Sequence, residues 1–411
     1  MASAQRSILV LTDLRPEAAN TSRDHIRSFA EYSRHDIYYF DPVYLKGNRS
    51  LCFDEFDVVV IHYSIALVFD GYLHDSFREQ LRIYRGLKIV FIQDDYRLIN
   101  KMCAALRYLG IHILFTLYSP QRISQVWTAE RLPAVQVRTT LAGYVPNYLR
   151  SAAIAPLASR PIDVGYRGRE LPFWLGELGQ EKTWIAQRFQ QYAPDVGLVY
   201  DVSFREEDRI YGDNWPVFIS SCKTMLGTES GASISDFDGE VQSMTIQFLI
   251  DNPGASFHEV QSAILKPYED NARNNVISPR HFECVALGTV LVLFPGEYSG
   301  ILQPWRHYIP LEKDFSNFAK VVELIRDLEF LEHLARCSYD DLISSDAYSY
   351  RSFIGEFDDL IDANAWRHGR DTKVDYHNAI EESLRHRNWM KSRIRQYLAR
   401  IARWLGIRKS A

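Results

Sequence analysis

The sequence predicts an α/β protein of two Rossmann-like domains, each with a parallel sheet, that face each other across a cleft. Strand-like and helix-like segments alternate along residues 7–139, which favours right-handed β–α–β units. Residues 151–161 are small, apolar and proline-bearing, which is typical of an interdomain linker, and alternation resumes at residue 162. Residues 289–294 are apolar without alternation, as expected in a parallel sheet covered on both faces.

The first half contains strands and helices in regular order. Runs of β-branched and aromatic residues predict strands at residues 7–11, 37–40, 58–61, 87–92, 111–116 and 135–139. Apolar residues at helical spacing predict helices at residues 22–32, 72–84 and 101–109. The loop at residues 12–21 contains no glycine, so it lacks the dinucleotide fingerprint and weighs against a hydride-transfer enzyme.

The second half continues this alternation from a strand that begins at residue 162. Further strands are predicted at residues 197–200, 289–294 and 308–311. Helices are predicted at residues 181–192, 257–265, 318–328, 330–336 and 340–365, and a helix or loop at 215–223. The predicted division is an N-terminal Rossmann-like domain (1–155), a C-terminal Rossmann-like domain (160–335), a helical return (336–383) and a basic amphipathic helix (384–411).

Composition and charge narrow the class of protein. The five cysteines have no CxxC or metal-ligand spacing, so we expect reduced thiols, a cytoplasmic location and no metal site. The N-terminus shows no signal-peptide pattern, and no apolar run is long enough to span a bilayer. Residues 384–411 carry nine basic and no acidic residues, which leaves 38 basic against 52 acidic elsewhere. This acidic body argues against a nucleic-acid partner.

The basic tail has its own pattern. Within residues 389–405, apolar side chains fall on one helical face and arginines surround it. This arrangement is typical of an interfacial helix on an anionic membrane, so we expect peripheral attachment to the inner face of the membrane. The alternative is a C-terminal helix docked on the protein's own acidic body.

The most informative stretch is 275–295, which is predicted to form a loop, a short helix and a buried strand. Pro279 suits the first turn of the helix and Gly288 suits its end. Arg280, His281 and Glu283 therefore lie at a helix N-terminus near the carboxyl end of a parallel sheet, where open α/β folds bind ligands. Glu283 suits the two hydroxyls of a ribose because a carboxylate only accepts hydrogen bonds, although pairing with the helix N-terminus explains it equally.

Other polar residues lie near the ends of predicted elements. In the second half, Arg167 and Arg169 directly follow the strand that begins at residue 162, and Lys182 begins the next helix. Glu229 lies in a glycine-flanked turn between apolar stretches, and Glu297, Tyr298 and Ser299 form a turn after the strand at 289–294. In the first half, such residues are His62, Asp94 and Asp95, each of which is a candidate general base for an acceptor hydroxyl. Ordinary surface cations, a solvated turn and structural carboxylates are the alternatives at these positions.

Four segments resemble a known family of enzymes and its relatives. Residues 278–289, together with 296–300 and 307–315, resemble GT-B-fold glycosyltransferases of group 1 (GT4-like), and Phe91–Arg97 resembles the related CgeB-type proteins of bacterial surface-polysaccharide loci. The resemblance implies transfer of a sugar from a nucleotide-diphosphate donor to a saccharide or lipid-linked acceptor. It makes residues 1–155 the acceptor-side domain and residues 160–335 the nucleotide-sugar domain. It also implies that Glu283 binds the nucleotide ribose and that Arg167 or Arg169, with Lys182, binds the diphosphate. The family has a second glutamate eight positions upstream, where this sequence has Asn275.

The implied chemistry needs no metal, because cations and a helix N-terminus can stabilise the charge that develops on the leaving diphosphate. An inverting enzyme would use a base such as Asp94, Asp95 or His62, and a retaining one could pass the acceptor proton to the leaving phosphate. Two alternatives stay open. One is a GT-B-type nucleotide-sugar epimerase, and the other is a non-catalytic nucleotide-sugar-binding or assembly protein, which Asn275 favours.

Overall fold

A computed structural model describes residues 5–14, 20–43 and 51–366, so the predicted helix at 384–411 lies outside the described residues. The N-terminal half has a sheet of parallel strands, β1 (Ser7–Leu11), β2 (Asp36–Phe40), β3 (Val58–Ile61), β4 (Leu87–Phe91), β5 (Ile113–Thr116) and β6 (Gln136–Thr139). The strand order is β2-β1-β3-β4-β5-β6. Its helices are α1 (Asn20–Tyr32), α2 (Asp75–Ile83), α3 (Ile99–Leu109), α4 (Ile123–Val126) and α5 (Asn147–Arg150).

The C-terminal half has a second parallel sheet. Its strands are β7 (Ile162–Arg167), β8 (Tyr200–Ser203), β9 (Cys222–Gly227), β12 (Val290–Leu293) and β13 (Tyr308–Pro310), and β10 (Ser230–Ala232) pairs antiparallel with β11 (Asn274–Val276). The order is β13-β12-β9-β7-β8. Its helices are α6 (Glu177–Tyr192), α7 (Asn214–Ser221), α8 (Glu240–Asp251), α9 (Phe257–Val260), α10 (Pro279–Ala286), α11 (Phe318–Arg326), α12 (Leu328–Tyr339) and α13 (Tyr350–Asn364).

The predicted α/β class with two parallel sheets is confirmed, and two strands correct the prediction. β8 begins at Tyr200, three residues after the predicted start, because Gly197 has a positive φ of 63° and still ends the preceding helical turn. β9 begins at Cys222, inside the segment 215–223 that is predicted to be a helix or loop. Its polar residues are satisfied by β7: Lys223 forms an ion pair with Asp163, and the Thr224 hydroxyl donates to the Asp163 carbonyl.

The chain returns to its first half at the end of the described residues. α13 packs on α1 and on the first sheet, with the Phe357 ring 5.1 Å from that of Phe29 and the Phe353 ring 6.0 Å from that of Phe91. The last described helix therefore covers the N-terminal sheet although it follows the C-terminal one. No helix among the described residues is both long enough and apolar enough to cross a membrane.

Candidate functional site

A pocket of about 840 Å³ lies between the two halves of the molecule. Its C-terminal wall starts where β7 and β9 end, at Arg167 and Gly227. Because β8 and β9 lie on opposite sides of β7, the chain changes direction there, and such switch points are where open α/β sheets bind ligands. β1 is the corresponding switch point of the first sheet, and α1, the helix that follows it, contributes Asn20, Thr21 and Arg23 to the opposite wall.

α10 brings three predicted residues to this pocket, Arg280, His281 and Glu283. Pro279 takes the first helical position, and the side chain of Ser278 forms a capping box with His281. Gly288, with a φ of 69°, follows the helix, as its sequence predicts. Gly227 is needed opposite, since a Cβ there would lie 2.7 Å from Leu293 Cδ2 and 3.0 Å from His281 Nε2.

Four cations that line the pocket have no ion pair with a described carboxylate: Arg23 on the wall of the first half, and Arg169, Lys182 and Arg280 on the wall of the second half. The pKa of Lys182 is lowered to about 8, first by burial and then by the charges of Arg280 and Arg169, while the charge of Asp94 opposes them. The Arg280 guanidinium lies over the rings of Trp215 and Tyr166, at 5.2 and 5.4 Å. Like charges that are held together in a partly buried pocket are destabilising, so this arrangement suits a bound anion.

Glu283 is the one carboxylate among the described residues that line the pocket. Its Oε2 accepts a hydrogen bond of 2.7 Å from Trp215 Nε1. Burial raises its pKa, whereas the Trp215 hydrogen bond and the Arg280 charge lower it. His281 Nδ1 accepts the Ser278 N–H at 3.3 Å, and burial lowers the pKa of this histidine to about 3. The neutral ring therefore carries its proton on Nε2.

Arg167 lines the pocket, but its donors are occupied. The guanidinium binds the carbonyls of Tyr166, Asp201 and Asp208, and it forms a 2.8 Å ion pair with the Asp201 carboxylate. It also lies over the ring of Phe218 at 4.4 Å. Of the two arginines at the end of β7, Arg169 is therefore the one that is available to a ligand.

The predicted turn residues lie behind the pocket rather than in its lining. Glu229 is buried, and its Oε1 accepts the backbone N–H groups of Glu297 and Tyr298 and the side-chain amide of Asn275. The Glu297 carboxylate pairs with Arg122 of the first half at 2.8 Å. Ser299 Oγ accepts the Ile277 N–H, which fixes β11 to this loop.

The three candidate bases also lie outside the pocket lining. Asp95 is buried and accepts hydrogen bonds from Thr116, Leu117 and, across the two halves, Asn274, and burial raises its pKa to about 7. His62 is fully buried, with Nδ1 against Ser64 and Nε2 against His25, so its nitrogens are occupied.

Asp94 is the exposed member of this group, with a φ of 35°, and it accepts a hydrogen bond from the Tyr96 hydroxyl. Its carboxylate also acts electrostatically on Lys182. A catalytic role for any of the three bases stays a prediction.

Sequence reasoning missed several residues that line the pocket, namely Asn20, Thr21, Arg23, Tyr166, Arg209, Tyr211 and Trp215. Trp215 lies 68 positions from Glu283, and no local pattern signals that contact. The only available signal for Asn20 and Thr21 was their place in the loop and helix that follow the first strand. Within the described residues, no group of three or more histidine, cysteine or acidic side chains is arranged to hold a metal.

No family model matches the sequence, and no curated protein matches it. Solved structures do match the fold. An alpha-glucosyltransferase (AGT) in complex with UDP aligns with a TM-score of 0.55 and 10% identity, covering 88% of this chain and 100% of that one. The same kind of enzyme with UDP-glucose and DNA containing an abasic site aligns with a TM-score of 0.55 and 11% identity over the same shares.

The T4 phage BGT in complex with UDP-glucose aligns with a TM-score of 0.51 and 11% identity, covering 88% of this chain and 99% of that one. These neighbours are GT-B glycosyltransferases, and at such identities the likeness establishes the fold alone. The chain therefore has the GT-B arrangement of two Rossmann-like halves. The narrower resemblance to group 1 and CgeB-type proteins stays a prediction.

Proposed function

We propose that this protein is a glycosyltransferase that takes a sugar from a nucleotide-diphosphate donor bound in the interdomain pocket. The observation that carries the proposal is the group of cations on the C-terminal wall, Arg169, Lys182 and Arg280, which have no ion pair among the described residues and lie beside the single lining carboxylate of Glu283. The formal charges of these four residues sum to two positive charges, and the diphosphate of a nucleotide sugar carries two negative ones. Such a donor would neutralise this wall of the pocket. The GT-B fold, shared with enzymes that were solved with UDP or UDP-glucose, supports this choice.

Each charged residue has a role in this proposal. The three cations bind the diphosphate and stabilise the charge that develops when the sugar–phosphate bond breaks. His281, neutral and protonated on Nε2, donates to a phosphate oxygen at the N-terminus of α10. Glu283 accepts hydrogen bonds from the ribose hydroxyls. Because the protein supplies these cations, we propose metal-independent transfer, and the expected rate in EDTA equals the rate in Mg²⁺.

The finer assignments are proposals as well. We propose hexosyl transfer to a saccharide or lipid-linked acceptor in surface-polysaccharide synthesis, as the resemblance to group 1 and CgeB-type proteins implies. DNA is the acceptor to test against saccharides, since one structural neighbour was solved in complex with DNA. The acidic body of this chain, with 38 basic against 52 acidic residues outside 384–411, favours a saccharide.

The first experiment is a screen for turnover of UDP-glucose and other nucleotide sugars. Slow release of free nucleotide from one donor is the expected result, and Lys182→Met should abolish it. A product that is still a nucleotide sugar would indicate an epimerase. Binding without turnover would indicate the non-catalytic alternative, and failure of every nucleotide sugar to bind would refute the proposal.

Membrane attachment is a separate proposal that depends on residues 384–411. Nine basic residues near an anionic surface contribute on the order of 1 kcal/mol each. We expect the full chain to sediment with phosphatidylserine-containing liposomes at low salt and a chain ending at residue 383 to stay in solution. Equal sedimentation of both would refute it.

A further inference from the structure

Trp215 contacts the two charged residues of α10 that face the pocket. Its Nε1–H donates to Glu283 Oε2 at 2.7 Å, and its ring lies under the Arg280 guanidinium at 5.2 Å. The Glu283 Oε1 atom has no hydrogen-bond partner among the described residues. One carboxylate oxygen is thus held by the protein, and the other remains for a ligand.

The indole is itself held in place. Trp215 belongs to α7 and stacks on Phe218 with ring centroids 5.9 Å apart and planes 29° apart. Phe218 is buried, and Arg167 covers its ring at 4.4 Å. Arg167, Phe218 and Trp215 therefore form one stack that ends at the pocket. This gives Arg167 a structural role on the donor side even though it does not face a ligand.

We propose that Trp215 is a positioning residue that orients the Glu283 carboxylate for the ribose hydroxyls of the donor nucleotide. The inference rests on the proposed function, in which Glu283 binds ribose. A carboxylate that rotates freely would need to be ordered when the ligand binds, and that ordering reduces affinity. The indole N–H fixes the rotation beforehand, because the hydrogen bond to Oε2 directs Oε1 into the pocket. Trp215 acts through Glu283 and does not touch the phosphates.

The test compares UDP with 2′-deoxy-UDP, which lacks one ribose hydroxyl, by titration calorimetry. The wild-type protein should bind UDP about tenfold more tightly than 2′-deoxy-UDP, because the missing hydroxyl is expected to donate a hydrogen bond to the charged Glu283 carboxylate. Trp215→Phe keeps the stack and removes the N–H, so it should reduce this ratio to about threefold or less. Affinity for inorganic pyrophosphate should not change. Trp305→Phe, at an exposed tryptophan outside the pocket lining, is the matched control and should keep the wild-type ratio.

A double-mutant cycle separates positioning from packing. Glu283→Gln should lower the UDP to 2′-deoxy-UDP ratio, and adding Trp215→Phe to it should lower the ratio no further. A further fall, or an unchanged ratio in Trp215→Phe alone, would overturn the inference. Trp215→His retains a ring N–H and should restore part of the discrimination, and it serves as the second variant if the phenylalanine protein does not fold.

The outcomes also separate this inference from the proposed function. If UDP does not bind the wild-type protein, the proposed function fails. If UDP binds but the wild type does not distinguish it from 2′-deoxy-UDP, Glu283 does not bind the 2′-hydroxyl of the ribose, and the proposed positioning for the ribose hydroxyls fails while nucleotide binding stands.

Discussion

Replacement of Lys182 by methionine should stabilise the ligand-free protein and weaken nucleotide binding. The pKa of Lys182 falls from 10.5 to about 8, mainly because the ammonium is desolvated and then because Arg280 and Arg169 repel it. At about 1.4 kcal/mol for each pKa unit, the charged form costs the folded state about 3 kcal/mol at neutral pH. Methionine keeps the apolar stem without the charge. The melting temperature should therefore rise by about 5 °C.

The same variant should bind UDP about 10- to 100-fold more weakly, because one charged hydrogen bond to the diphosphate is lost. Differential scanning calorimetry without ligand and titration calorimetry with UDP measure the two effects. Lys320→Met, which removes an exposed lysine paired with Glu323, is the control and should change neither value noticeably. A lower melting temperature together with unchanged UDP affinity would refute the view that Lys182 is held for an anion.

Three further predictions follow from the contacts of individual residues. UDP affinity should fall above about pH 8 as Lys182 loses its proton. The destabilisation that Lys182 causes in the ligand-free protein should decrease from about pH 8 to 10.5, because in this range the unfolded chain binds more protons than the folded one. Titration calorimetry and urea unfolding across this range test the two changes, and Lys182→Met should show neither. Arg167→Met should lower the free energy of unfolding by about 1–3 kcal/mol and leave UDP affinity within about threefold. Arg169→Met should weaken UDP binding and should not lower the free energy of unfolding. Titration calorimetry and urea unfolding measure both variants. Asn275→Glu should lower the free energy of unfolding by about 1–3 kcal/mol at neutral pH and by less near pH 5, and an unchanged urea midpoint would contradict it.

Local signals in the sequence were enough to predict the alternation of strands and helices and the form of α10. Pro279 and Gly288 act within one turn of the chain, so their effect can be read without knowing the fold. β9 could not be predicted in this way. Lys223 and Thr224 interrupt its apolar pattern, and both are satisfied by Asp163 of β7, about 60 positions earlier in the chain. A strand whose polar residues are paired with a distant neighbour has no local signature.

The same limit applies to the candidate site. Arg167 ends β7 and Arg169 follows two residues later, and their order in the sequence does not show which one binds other residues of the protein. Asp201 decides this, because it neutralises Arg167 and leaves Arg169 without an ion pair among the described residues. The location of the pocket could be predicted from the sequence, because it follows from the topology of parallel sheets. The assignment of individual side chains depends on long-range pairs.

Asn275 illustrates how such a pair can explain a departure from a family pattern. Its side-chain amide donates to Glu229 Oε1 at 3.0 Å, and the same oxygen accepts the N–H groups of Glu297 and Tyr298. Burial raises the pKa of Glu229, so a glutamate at position 275 would bring two acids together in a buried site, where one would have to bind a proton. An amide is the group that satisfies a carboxylate already present. Asparagine at this position is therefore required by the acid on the neighbouring turn, and it does not by itself indicate that an activity was lost.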